Sequence, residues 1–173
     1  MTPKLKEISP EADILAGASS DKKNPIRSDY VEAFTLLQRT RDLLFRCEDQ
    51  VAAQFGITAE QYSVLVAMKG LDDPVKVTDV ARRLERKVNS VSMLVDRMVN
   101  ANLVTRERDL PDRRAVRLGM TAKGRKACER ATPAVSRLIA ELLAPLSQKD
   151  TDTLVKLLET LRDNARKRLG AKN

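Results

Sequence analysis

Two short amphipathic segments joined by a tight turn, and followed at once by two alternating segments, constrain most strongly what this chain can fold into. The first segment opens at Thr78, a capping residue, and turns Val80, Ala81 and Leu84 to one face. The second, after Glu85-Arg-Lys87, repeats Val91, Leu94, Val95, Met98 and Val99 at helical spacing. Residues 103–108 and 115–120 then alternate apolar or β-branched residues with charged ones. Between them, Asp109-Leu-Pro-Asp-Arg113 has the chemistry of a turn. The order is helix, turn, helix, hairpin.

The flanking segments are also helical. Residues 1–28 mix Pro3, Pro10, Pro25 and Gly17 with charged and small residues without a sustained period, which reads as a flexible arm with a short helix around 11–16. Ser28 or Asp29 caps a long helix carrying Val31, Phe34, Leu37, Leu44, Phe45, Val51 and Phe55, with Gly56 as its stop. Thr58-Ala-Glu-Gln61 matches a capping box and opens a helix bearing Tyr62, Leu65 and Val66. After the turn Leu71-Asp-Asp-Pro74, residues 75–77 have room only for a brief edge strand. Thr121 caps the next helix, where Gly124 in the first turn is a propensity cost. Thr132-Pro133 reads either as a fresh N-cap or as a kink in a longer helix. Pro145 ends that segment, and Ser147 caps a last helix with Leu154, Leu157, Leu158, Leu161 and Leu169.

Charge separates the middle of the chain from its ends. Residues 76–130 hold fifteen Lys/Arg against seven Asp/Glu, an excess equal to the whole formal net charge of +8. A basic balance by itself points only to a polyanion; on a winged helix-turn-helix it points to duplex DNA. The enzyme classes lose ground at the same time. The chain has no His, no Gly-rich phosphate loop and no paired-carboxylate site, which removes the commonest general base and metal ligand. Two distant cysteines make neither a disulfide framework nor a structural zinc site, so no cofactor and no metal are expected. No apolar run has signal-peptide or membrane-span length, and the expected compartment is a reducing cytoplasm.

In a helix-turn-helix the second helix enters the major groove, its exposed residues reaching base edges and phosphates. Here that helix offers Asn89, Ser90, Ser92 and Arg97, with Lys87 ahead of it and Met93 on the outer face, placed to meet a thymine methyl. Arg106, Arg108, Arg113, Arg114 and Arg117 make the hairpin a basic wing, and its tip suits a narrow minor groove. Asp112 is expected to shape the wing by pairing with a neighbouring Arg. The plainer reading of the same residues is a solvated, charged surface on a helical bundle.

From Ile57 to about Arg130 the chain resembles the MarR family of bacterial transcription regulators. The resemblance rests on Ile57-Thr-Ala-Glu-Gln61, Val77-Thr-Asp-Val-Ala-Arg-Arg-Leu84 and Ser90-Val-Ser-Met-Leu-Val-Asp-Arg-Met98. It continues through Asn102-Leu-Val104, Asp112-Arg-Arg114 and Met120-Thr-Ala-Lys-Gly124. It implies a mainly α fold with a small β-hairpin wing, a winged helix-turn-helix with N- and C-terminal dimerisation helices. The corresponding division is an arm over 1–28, a dimerisation helix over 29–56, the DNA-binding domain over 57–122, and C-terminal dimerisation helices over 123–173. It further implies a homodimeric repressor on a palindromic operator, Arg114 entering the minor groove, and release by a small aromatic or phenolic effector. Departures from the family pattern fall at Glu85, Arg86 and Lys87 in the turn, which moves the expected start of the recognition helix to Asn89. Asn102 stands at a usual Gly and tolerates positive φ.

Two other readings stay open on the sequence. A winged helix that binds protein instead of DNA would expose an apolar recognition helix, as Val88 and Met93 do. A redox sensor would use a cysteine. Cys128, with Lys123 and Arg125 nearby, has the more electropositive setting, which would lower a thiol pKa; Cys47 has mixed charges around it. Inert thiols are the plainer expectation. Tyr30, Phe34, Phe45 and Tyr62 are the aromatic candidates for an effector pocket, with core packing as their default.

Overall fold

A computed structural model describes residues 27–108 and 116–170. The expected short helix at 11–16 and the wing residues Asp112, Arg113 and Arg114 lie outside the described residues. The chain divides into two compact units, Met1–Glu48 and Asp49–Asn173.

The first unit contains most of helix α1, Ser28–Ala53. The Arg27 guanidinium bonds Asp29 in the first turn and lies 4.5 Å from the centre of the Tyr30 ring. Tyr30, Phe34, Leu36 and Leu43 are exposed on this helix.

The second unit begins with the end of α1. Gly56, at φ +73°, closes that helix: the Ile57 N–H reaches the Ala52 carbonyl and the Gly56 N–H the Ala53 carbonyl. This paired closure requires a left-handed residue, which Gly adopts freely. Helix α2 (Ala59–Lys69) follows, with the expected capping box between Thr58 and Gln61 at 3.0 and 3.2 Å. The Asp49 carboxylate also accepts the Ala59 N–H at 2.8 Å and fastens the end of α1 to the start of α2.

Strand β1 is two residues long, Val75–Lys76. Helix α3 (Val77–Arg83) starts directly after it, with Lys76 in the N-cap position and no side-chain cap. The cap expected at Thr78 is therefore corrected. Pairing of β1 ends at Lys76, and the chain coils at Val77, two residues before a helix capped by Thr78 would begin. Helix α4 (Val88–Asn100) likewise starts one residue earlier than expected, uncapped by a side chain at Lys87.

Strands β2 (Val104–Arg108) and β3 (Val116–Met120) complete an antiparallel sheet of order β1-β3-β2. In it Val75 faces Leu118, and Arg106 faces Leu118 from the other side. Leu65, Met98, Leu103, Val80, Val91, Val95 and Val104 are fully buried between the helices and this sheet. Each contributes roughly 1.5–3 kcal/mol relative to an exposed side chain.

Helix α5 (Ala122–Leu143) is capped by the Thr121 hydroxyl, which accepts the Gly124 N–H at 3.0 Å. It runs unbroken past Pro133, so Thr132-Pro133 is internal to one long helix and not a second N-terminus. Helix α6 (Gln148–Gly170) opens on Ser147 and Asp150, which cap each other's backbone, as expected of Ser147. None of its residues is buried.

Candidate nucleic-acid interface

Helix α4 splits cleanly by face. Val91, Leu94, Val95 and Met98 are buried against the rest of the unit. Lys87, Asn89, Ser90, Met93 and Arg97 are exposed together on the opposite side, Met93 at 68%. Five of the six residues expected on or just before the recognition helix thus share one open surface. The sixth, Ser92, is half-buried, and its hydroxyl accepts from an Arg106 guanidinium nitrogen at 2.8 Å.

The turn ahead of α4 is held from three sides. Glu85 has φ +53°, with the Arg86 N–H on the Ala81 carbonyl and the Glu85 N–H on the Arg82 carbonyl, the same closure that Gly56 makes. A non-Gly residue there costs roughly 1–2 kcal/mol. Arg166 of α6 grips the Glu85 carboxylate with two guanidinium nitrogens, which also raises the Arg166 pKa further. Arg86 pairs with Glu60 of α2 at 3.1 Å, and Arg97 approaches the other Glu60 oxygen at 3.9 Å. The Arg97 side chain stays 67% exposed, so at that distance the pair leaves it able to turn toward an anion.

Among the described residues, Arg106 ties the base of the wing to the recognition helix. Arg106 on β2 donates to Asp96 of α4 at 2.5 Å as well as to Ser92. Sequence reasoning counted Arg106 with the outward wing arginines and passed over Asp96. The available signal was the four-residue spacing of Ser92 and Asp96, which puts both on one helix face.

Both cysteines can now be placed. Cys47 is half-buried. Cys128 is 1% exposed, and burial pushes its thiol above the ordinary value, against a smaller lowering by Thr132 and Lys69. The lowering expected from its basic neighbours is overturned. Lys123 is bonded to the Ala101 carbonyl and Arg125 to the Met120 carbonyl. A raised folded pKa means that the neutral thiol's contribution to stability is full below the ordinary thiol pKa and fades as pH rises through the raised one. At pH 8 Cys47 is therefore expected to alkylate well before Cys128 in the folded protein. Mass spectrometry of a timed iodoacetamide reaction checks this, and equal rates would contradict the placement.

Of the proposed pocket aromatics, Tyr62 is buried with its hydroxyl 3.3 Å from Thr132, while Tyr30, Phe34 and Phe45 are exposed. A cavity of about 460 Å³ opens elsewhere, walled by Met68, Leu71, Val75, Leu118, Met120 and Cys128. Lys69, Asp73, Arg125 and Glu129 supply its charged lining. Among the described residues no helix is long and apolar enough to cross a membrane.

Comparison with known proteins bears on the same segment. The MarR family pattern matches residues 55–115, the stretch that runs from the end of α1 to the hairpin. Over that stretch the chain is similar to the MarR family. It is 30% identical over 95 residues to the HTH-type transcriptional repressor MdtR of Bacillus subtilis (strain 168). That match covers 55% of this chain and 61% of MdtR, so the chain spans less than two thirds of the length of the curated relative it matches. The solved structure of the repressor CouR bound to a 23-mer DNA duplex is 26% identical, with a TM-score of 0.66, covering 73% of this chain and 89% of CouR. AbsC, a MarR family regulator from Streptomyces coelicolor, matches in fold at a TM-score of 0.73 and 22% identity, over 83% of this chain and 99% of AbsC. All three are described as transcriptional repressors or regulators.

Proposed function

We propose that this chain is a MarR-family, sequence-specific DNA-binding transcription regulator, a repressor that holds a palindromic operator as a homodimer and leaves it when a small molecule binds. The observation that carries the reading is the open face of α4, where Lys87, Asn89, Ser90, Met93 and Arg97 stand exposed over a buried apolar stripe. Such a helix projects base-reading and phosphate-binding groups from a rigid frame. The repressor MdtR and the duplex-bound CouR support it as relatives. Arg114 completes the interface as a wing arginine in the minor groove on the strength of the family resemblance, with Arg113 beside it and Asp112 shaping the wing on the chemistry of the turn.

The dimer is supported by leucines that water would otherwise meet. Leu142 and Leu143 of α5 and Leu154, Leu157, Leu158 and Leu161 of α6 are all exposed, and an apolar surface of this kind marks an interface. In this division residues 1–28 form an arm, 29–56 and 123–173 dimerise, and 57–122 read DNA. A two-fold dimer would make the operator an inverted repeat. The cavity beside Cys128 has the size for a small aromatic or phenolic effector. A cytoplasmic site of action follows from the DNA partner.

A winged helix that binds protein is the second reading, favoured by Val88 and Met93, which are 45% and 68% exposed. Selection from a random DNA pool with the purified protein separates the two. An enriched inverted repeat is expected; no enrichment at moderate salt would refute DNA recognition. On the enriched site Arg114→Ala is expected to weaken binding about tenfold and to reduce the slope of log K against log salt by about 1. An unchanged affinity and slope would remove Arg114 from the interface.

A further inference from the structure

The Arg106 guanidinium spans two successive turns of the recognition helix. Ser92 and Asp96 lie four residues apart on α4, one above the other, and a single planar fork reaches both, at 2.8 and 2.5 Å. The Arg106 side chain is 30% exposed and the Asp96 side chain 55%. Asp96 directly precedes Arg97 and lies three residues beyond Met93. It is therefore a carboxylate at the edge of the surface proposed to meet DNA, where a bare negative charge repels phosphate.

Resting on the DNA-binding reading above, we propose that Arg106 is a positioning residue for recognition, one that docks β2 on α4 and neutralises Asp96. The pair adds no net charge to the interface, so Arg106 does not act as a phosphate ligand. Its fork is committed to Asp96 and Ser92, which fixes the base of the hairpin relative to the helix. Opposite Arg106 in the sheet stands Leu118, 3% exposed. The strand cannot slide without disturbing the core, so the clamp fixes the helix side of a joint whose sheet side is already fixed.

The two roles for Arg106 predict different double mutants. As a positioning residue that masks Asp96, Arg106→Ala frees the carboxylate and weakens operator binding about tenfold, and adding Asp96→Asn restores affinity to within about threefold of the unmodified protein. As a direct phosphate ligand, Arg106→Ala lowers affinity equally, but Asp96→Asn restores nothing. Affinities are measured by fluorescence anisotropy on the selected operator, with melting followed on each variant. An unchanged Arg106→Ala, or a double mutant as weak as Arg106→Ala, overturns the proposal. Where Arg106→Ala is not folded at the assay temperature, Arg106→Gln, which keeps one donor without the charge, takes its place under the same outcomes. Failure of the unmodified protein to bind any selected DNA would instead overturn the DNA-binding reading.

Discussion

Gly124→Ala is expected to destabilise the winged unit by about 3 kcal/mol or more, although alanine is the better helix former. The gain in helix propensity is roughly 1 kcal/mol. Against it stands a contact that cannot relax locally: a Cβ at residue 124 would lie 2.0 Å from the Leu103 carbonyl oxygen and 3.0 Å from its carbon. That carbonyl is not a movable side chain. It accepts the Thr121 N–H and the Thr121 hydroxyl, each at 3.1 Å, and the same hydroxyl bonds the Asn102 carbonyl at 2.8 Å. Leu103 itself is 1% exposed. Relieving the clash means moving the first turn of α5 away from the end of α4 and opening the core that both cover. Urea unfolding is expected to show a much lower midpoint with little change in slope. An equal or higher midpoint would mean that the two segments slide apart at almost no cost, contrary to the packing described.

Gly124 shows where sequence reasoning stops. From the sequence it is only a weak helix former in a first turn; the close approach that requires it depends on a residue 21 positions earlier, brought there by the fold. The ends of the helices make the same point. Three of them close in one way, at Gly56, Glu85 and Asn102, each with positive φ. Gly56 announces its closure, and Asn102 is readable because Asn tolerates that region. Glu85 is not readable, since nothing local favours it and its carboxylate is held by Arg166, 81 residues away. The apolar stripe of α4 was legible because helical period alone fixes which side chains turn inward; on α2 Tyr62 and Leu65 turn inward as expected, but Val66 is 41% exposed. The direction of a long charged side chain was not. Arg106, Lys123 and Arg125 all read as free cations, and each is turned to a particular oxygen. That is also why the thiol of Cys128 moves opposite to expectation: burial is a property of the packed core, whereas the basic residues near it in sequence are bonded to backbone carbonyls.

A Leu158→Glu, Leu161→Glu double variant is expected to sediment as a monomer and to lose operator affinity by about 100-fold or more. The 23 residues of α6 carry no buried side chain, while Leu154, Leu157, Leu158 and Leu161 are 38 to 59% exposed. Most helical stability in proteins comes from packing an amphipathic face and not from propensity, and the charged face of α6 alone offers little. Covering leucines with a second copy contributes roughly 1.5–3 kcal/mol for each side chain fully buried, enough to stabilise both helix and dimer. Two glutamates at the centre of that face place like charges directly into the joint. The winged core lies outside the changed face, so the monomer should keep its α4 surface and a weak affinity for half of the repeat. Without the joint, the second half-site no longer binds at the high effective concentration that linkage supplies. Analytical ultracentrifugation and binding to full and half operators measure the two effects separately. A variant that stays dimeric with unaltered affinity would place the dimer contact elsewhere; one that becomes monomeric yet binds as tightly would show that a single winged unit recognises its operator unaided.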